Sequence, residues 1–421
     1  MPISVSGTTV EVETSRLSAT FDGPDLLELR NPKGNILARQ GKKRVPALSL
    51  GFTSGQWTTL CTRPYARVEV VKLGERVAHV HIADENGDAC LRILIDDQER
   101  LVVEPSAHTA RRGLCSVRWR LPGIPKRLKL VAPFFQGCRH DLAHPLIAGK
   151  HWEWPFRWEA PIAILQAPRD GFSVTAYDPH HQPKAVSVGA GETARSLAFE
   201  TTLNGPAHDT VAVGSLQWVI DTHEGDWRTA AGLYRDWLHK HVNADYLRSL
   251  RPEWAGDIHL TLQWATNDLD VLDAVAKIID PGQVLVHHSA WRADPYDVNY
   301  PEYKASKEGR AFIRKGREMG FHIMPHFNYF AIDPNHPLFA RLSDFVARRF
   351  GDQRLMAWRW KAGGGQEPPQ GFGTMETLRD EKLMYYVHTG VSTWRRTLAE
   401  QVAGAITKHR LSAVFVDQTL C

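Results

Sequence analysis

Four segments in the second half of the chain end in side chains that can do chemistry. The last is an apolar run, Ala413, Val414, Phe415 and Val416, that stops at the carboxylate Asp417 and the amide Gln418. Earlier runs at 258–264, 283–291 and 321–329 end in Gln263 and Trp264, in His287, His288 and Trp291, and in His326, Asn328 and Tyr329. A carboxylate among aromatic rings and amides suits carbohydrate chemistry, because a flat ring covers the C–H face of a pyranose while polar neighbours take its hydroxyls. Hydrolysis of a glycosidic bond needs two carboxyl groups astride the anomeric carbon. Asp417 can supply one, as a nucleophile, or it can merely cap the loop that follows.

The helpers around it divide by chemistry. Trp264 and Trp291 are candidate stacking faces. Asp294, His288, His326, Asn328 and Tyr329 are candidate hydroxyl contacts, and Gln418 is placed to orient the nucleophile. For each, plain structural packing is the alternative, and Asp297 and Asp333 are equally suited to capping loops. A metal hydrolase is a second possibility, since His287, His288, His326 and Asp417 have the composition of a metal site. Adjacent residues of a strand point to opposite faces, however, so only one of His287 and His288 can face a shared mouth. The sequence therefore assigns no metal and no cofactor.

These side chains need a scaffold that brings strand ends together. Each of the four runs reads as a strand buried on both faces, and helical periodicity follows or precedes it at 271–279, 307–319 and 393–409. Repeated strand–helix units mean a parallel sheet with right-handed crossovers. In a (β/α) barrel the carboxyl ends of the strands converge on one mouth. An excursion at about 331–392, with Gly363 to Gly365 and the pair Pro368 and Pro369, is too long for a loop and reads as a helical lid or subdomain. A full barrel takes eight units and typically ~250 residues. Roughly 165 residues follow residue 254, with four strands, so the expectation is the first half of a (β/α)8 TIM-type barrel, truncated after strand 4. An open doubly wound sheet is the alternative.

The first 225 residues alternate apolar and polar positions in short runs separated by turn signals, as at 8–14, 17–21, 77–82 and 91–95. So many strands with no convincing helix predict a large antiparallel sandwich. Trp152, Trp154 and Trp158 are either a sugar platform or an aromatic seam. At Asp226 the period changes from 2 to 3.6, and Asp226 can cap a helix from Trp227 to about His241. The expected domains are a β-sandwich at 1–225, a linker helix at 226–254 and the half-barrel at 255–421.

Composition limits the function classes. The chain has 421 residues, 43% of them hydrophobic, and a formal charge of +4, which is small for its size. Basic residues fall in short groups and form no stripe with interleaved aromatics, so nucleic acid is not an expected partner. The five cysteines are widely spaced and lack any C-x-x-C pair, which gives no disulfide framework. No apolar run approaches the ~20 residues of a membrane span, and the first residues do not read as a signal peptide. The expectation is a cytoplasmic protein with no membrane partner.

Several stretches together resemble a known family. They are the Tyr177, Asp178 and Lys184 turn, the helix with Gly225, Asp226, Trp227, Ala230, Ala231, Tyr234, Arg235 and Trp237, the run from Gly320 to Asn328, and Val414 to Gln418. This pattern resembles a bacterial glycoside-hydrolase-like family, a domain of unknown function, distantly similar to the endo-α-N-acetylgalactosaminidases. The resemblance implies a galactose-mutarotase-like sandwich before the barrel. It also implies a nucleophilic carboxylate at the end of the fourth strand, here Asp417, with the acid/base on a later strand, usually the sixth. His326 stands where the family would have an aromatic residue. The resulting expectation is a retaining glycosidase acting on an oligosaccharide or glycoside, its acid/base missing from this chain. A non-catalytic carbohydrate-binding protein is the alternative.

Overall fold

The computed structural model describes residues 2–42, 44–60, 67–134, 137–155, 157–203, 206–214, 216–348, 355–360, 366–367 and 383–417. The chain divides into two compact units, one built on residues 1–244 and the other on 245–349 and 354–419.

The first unit is β-rich. A five-stranded antiparallel meander (Ile3–Ser6, Thr9–Glu13, Ser18–Asp22, Asp25–Arg30, Ile36–Arg39) accompanies a ten-stranded and a six-stranded sheet. Strand alternation dictates the packing: in Val77–Asp84 the residues Ala78, Val80 and Ile82 are buried, while His79 and His81 point the other way. Leu91, Ile93, Val103, Trp119, Phe172, Phe199 and Trp218 belong to the main core of this unit. The aromatic cluster is part of that packing. Trp158 is fully buried and its Nε1 donates to the Ile162 carbonyl at 3.1 Å, and Trp152 stacks on Phe134 with ring centroids 4.0 Å apart.

Asp226 caps the helix Trp227–His241 by accepting from the Arg228 N–H at 2.8 Å. That helix is no free linker, since its Ala230 and Tyr234 pack on Ile162 and Ile164 of the sandwich. The turn carrying Asp178 is built on a buried ion pair: Lys184 Nζ lies 2.9 Å from Asp178, and the same carboxylate accepts from the N–H groups of His180 and Gln182.

In the second unit four strands lie side by side in chain order, all parallel: Leu260–Ala265, Val284–His288, His322–Asn328 and Phe415–Asp417. Helices Leu269–Ala276, Lys307–Glu318 and Ser392–His409 accompany them, and Leu272, Val286, Phe312, Ile313, Ile323 and Phe327 share a core with them. Ser306 caps the second of these helices, accepting from the Gly309 N–H at 2.8 Å. Gly309 is required there because a side chain would collide with the Trp291 carbonyl oxygen. The helix is thereby seated directly on the loop that leaves the second strand.

The excursion between the third and fourth strands differs from the helical lid expected from the sequence. Its described part is an antiparallel sheet, ordered Ala331–Ile332, Leu383–Tyr386, Ala357–Trp360 and Gln366–Glu367, with only the short helix Phe339–Leu342 and one 3-10 turn beside it. The alternating aromatics of Trp358 and Trp360 and the run Tyr385, Tyr386 and Val387 favour strands. Gly363 to Gly365, Pro368 and Pro369 lie outside the described residues. Among the described residues no helix is long and apolar enough to cross a membrane.

Candidate active site

Because the four strands are parallel, their carboxyl ends lie along one rim, with Ala265 in register with His288 and Asn328 with Asp417. A cavity of about 420 Å³ opens there, lined by Trp264, Ser289, Arg292, Asp294, Tyr296, Tyr300 and His326 among others.

His326, in its lining, is paired with a second histidine behind it. His287 and His326 are both buried, and Nε2 of the first lies 3.0 Å from Nδ1 of the second. On its other side, Nδ1 of His287 lies 3.1 Å from the Gln263 side-chain oxygen and 3.5 Å from the Trp264 N–H. Beyond the pair, Nε2 of His326 is 3.6 Å from Oδ2 of Asp417 and 3.5 Å from the Tyr296 hydroxyl. The Tyr296 hydroxyl also interacts with the Asp417 side chain. Burial, helped by His287 and by the positive charge of Arg292, pushes His326 down to about 3, so the imidazole is neutral at ordinary pH. Burial and the carboxylates of Asp297 and Asp417 push the Tyr296 phenol well above its usual value, which keeps it a hydrogen-bond donor.

Trp264 is the exposed ring of the site. It is 55% exposed and leans on His287, Tyr296 and His326 at centroid distances of 5.2, 5.8 and 5.5 Å. Its backbone adopts φ +56°, which turns the chain at the strand end.

Arg292 stiffens the wall. Its guanidinium lies over the Tyr300 ring, 4.2 Å from the centroid, and donates to the carbonyls of Val298 and Glu302. Asp294 stands 3.8 Å from the same guanidinium and accepts from the Asn299 amide at 3.4 Å.

Other residues expected at the mouth lie elsewhere. Trp291 is fully buried, donates through Nε1 to the His326 carbonyl at 2.8 Å and stacks with Tyr303, so it presents no face to a ligand. His288 points to the opposite side of the strand from His287, against Phe312, with Nε2 2.8 Å from the Asn267 side-chain oxygen. Burial lowers it to about 3. Asn328 is buried too, and its side chain accepts from the N–H groups of Phe330 and Ala331, which makes it a turn former. Tyr329 packs edge-on against Phe330, and its carbonyl takes the Trp394 indole N–H. Gln418 lies outside the described residues. Asp333 caps a loop, accepting from the N–H groups of Asn299 and Asn335.

Of the two adjacent histidines it is therefore His287 that joins the site. Strand parity narrowed the choice to one without saying which. Arg292 and Tyr296 carried no signal beyond membership of a loop rich in Asp, Tyr and Pro.

Residues 214–421 match the model of a family described as a domain of unknown function, DUF6259. No curated protein matches the sequence. Among solved structures, the alpha-N-acetylgalactosaminidase NagBb from Bifidobacterium bifidum, in complex with Gal-NHAc-DNJ, aligns with a TM-score of 0.64 at 12% identity over 98% of this chain and 69% of that one. Its ligand-free form gives 0.62 at 12% identity, over 100% and 71%. The GH36 alpha-galactosidase AgaB from Geobacillus stearothermophilus gives 0.50 at 9% identity, over 99% and 65%. Likeness at such low identity speaks for the fold. The fold is glycoside-hydrolase-like.

Proposed function

We propose that this chain is a glycoside hydrolase-like protein that acts on an α-linked galactose or N-acetylgalactosamine residue with retention, Asp417 serving as nucleophile. One observation carries the reading: a carboxylate at the end of a parallel strand is held by Tyr296 and His326, two residues that line a cavity with an exposed tryptophan. The sugar class comes from the names of the structural neighbours, which are an alpha-N-acetylgalactosaminidase and an alpha-galactosidase.

In the first step an oxygen of Asp417 bonds to the anomeric carbon while the bond to the leaving oxygen breaks, that oxygen taking a proton from a second carboxyl group to which no described residue is assigned. Water, giving its proton back to that group, then cleaves the glycosyl ester and restores the Asp417 carboxylate. An ionised Asp417 selects one tautomer of the histidine pair, because the other would aim the Nε2 lone pair of His326 at the carboxylate. With the proton on Nε2 of His326, its Nδ1 accepts from Nε2–H of His287, and Nδ1 of His287 accepts from the Trp264 N–H. The Gln263 amide then turns its NH2 towards that nitrogen. The 3.6 Å gap to Asp417 is of the kind that tightens in a substrate complex. Trp264 covers one face of the sugar, and Asp294 takes hydroxyls.

The test is covalent capture with 5-fluoro α-glycosyl fluorides of both sugars, whose fluoride leaves without protonation. A glycosyl mass increase mapped to Asp417, and absent in Asp417→Asn, is the expected result. Sugar binding that is equal in wild type and Asp417→Asn, with no adduct in either, would replace the enzyme with a carbohydrate-binding module.

A further inference from the structure

The hairpin Val77–Asp84 and Gly87–Ile95 turns three metal-type ligands to one side. Its register sets Cys90 directly opposite His81, and His79 opposite Arg92. Ala78, Val80 and Ile82 on one strand, with Ala89, Leu91 and Ile93 on the other, fill the core. Strict alternation therefore sends His79, His81 and Cys90 to the opposite face, His81 exposed and the other two half-buried. The two ring nitrogens and the thiol sulfur lie within 4.8 Å of one another.

We propose that His79, His81 and Cys90 bind one divalent transition-metal ion of the zinc class, with the fourth position open to solvent. Metal–sulfur and metal–nitrogen bonds of about 2.3 and 2.0–2.1 Å place tetrahedral ligand atoms roughly 3.3–3.6 Å apart. Side-chain rotation alone closes the set by that amount, since the strand ladder already fixes the three Cα positions. Two imidazoles and a thiolate favour zinc, cobalt or copper over calcium and magnesium, which take oxygen ligands.

The surroundings are compatible with a cation. Arg92 faces His79, but Glu104 engages it at 2.8 Å and offsets its charge. Glu69 stands opposite His81 on the neighbouring strand Arg67–Lys72 and adds negative charge beside the open position, partly offset by Arg67 at 3.3 Å from its carboxylate. Asp88 adds a carboxylate near the end of the same hairpin, 3.7 Å from Nδ1 of His108. Burial, Arg92 and His81 hold His79 below its ordinary value, leaving it neutral as a ligand must be. Burial raises the Cys90 thiol, so the ion displaces a proton as it binds.

The experiment uses the untagged full chain, stripped with chelator and titrated with cobalt(II). Saturation at one equivalent is expected, with an intense tetrahedral visible spectrum and a thiolate charge-transfer band in the near ultraviolet, both bleached by zinc. Cys90→Ser should abolish the charge-transfer band, and His81→Ala should weaken binding by at least about tenfold. His81 is exposed, so that variant decides the matter even if Cys90→Ser folds poorly. Absence of the band in the wild type, its persistence in Cys90→Ser, or unchanged affinity in His81→Ala would overturn the proposal.

Discussion

Nε2 of His326 stands 3.6 Å from Oδ2 of Asp417, and the Tyr296 hydroxyl reaches both residues. Three side chains from three different segments thus meet at the end of the fourth parallel strand. Asp417→Asn is expected to lower turnover of activated α-glycosides by at least about 10³-fold, as loss of a nucleophile does. Tyr296→Phe, which removes only a hydrogen bond, should lower it by roughly 10–100-fold and leave the melting temperature within a few degrees. Equal rates for Asp417→Asn and wild type would remove Asp417 from the chemistry.

The neighbouring histidines of the second strand should separate cleanly. His287→Ala breaks the pair with His326, and glycoside turnover should fall with it. His288→Ala removes a buried ring packed on Phe312 and a bond to Asn267, and should cost about 2–4 kcal/mol of stability with turnover retained once folded. Chemical denaturation and kinetics on both variants check this, and a reversal of the two phenotypes would reverse their assignment.

Acid should unfold the protein through these rings. His288 and His326 are each pushed down to about 3 by burial, against an ordinary value near 6.5. Between those values the unfolded chain binds more protons than the folded one, so stability falls as pH drops from about 6.5 towards 3. Above 6.5 this contribution is constant. Urea midpoints measured from pH 8 to pH 4 should decline below 6.5, and a His288→Phe variant should decline less steeply. Imidazole NMR signals for both residues should show no titration between pH 5 and 8.

In the first unit, Asp178 and Lys184 are a buried pair. Burial opposes the charge on Asp178, but Lys184 and the N–H groups of His180 and Gln182 outweigh it and hold the carboxyl below its ordinary value. Asp178→Asn leaves the lysine without its counter-charge and should cost about 3–5 kcal/mol. A loss below about 1 kcal/mol would mean that the ammonium finds water.

Much of this architecture could be read from residue order. The change from alternation to helical spacing at Asp226 was visible, as was the repetition of apolar runs ending in polar groups. Trp264, Asp294 and His326 line one cavity, and Asp417 stands beside His326, because parallel strands align their ends and the loop after the second strand carries Asp294 to the same side. What order could not reveal was which strand-end side chains turn inward. Trp291 and Asn328 have the chemistry of a binding site, yet each finds its partners in backbone groups, the His326 carbonyl for one and the N–H groups of Phe330 and Ala331 for the other. Those partners come from other parts of the unit or from the local turn, and no spacing rule announces them. The strands of the excursion are hard to read for another reason: the short aromatic runs around Trp358 and Tyr385 are set apart by glycine and proline, which break any strand period.

Trp264 sits with left-handed backbone where glycine or asparagine would rest more comfortably, and its ring remains largely in solvent. Folding alone gives little reason to keep so large a side chain there. A programme that improved this protein for heat tolerance would therefore tend to erase the ring, since Trp264→Gly should hold or raise the melting temperature. The same replacement should weaken the hold on a pyranose, so robustness and recognition pull this one position in opposite directions.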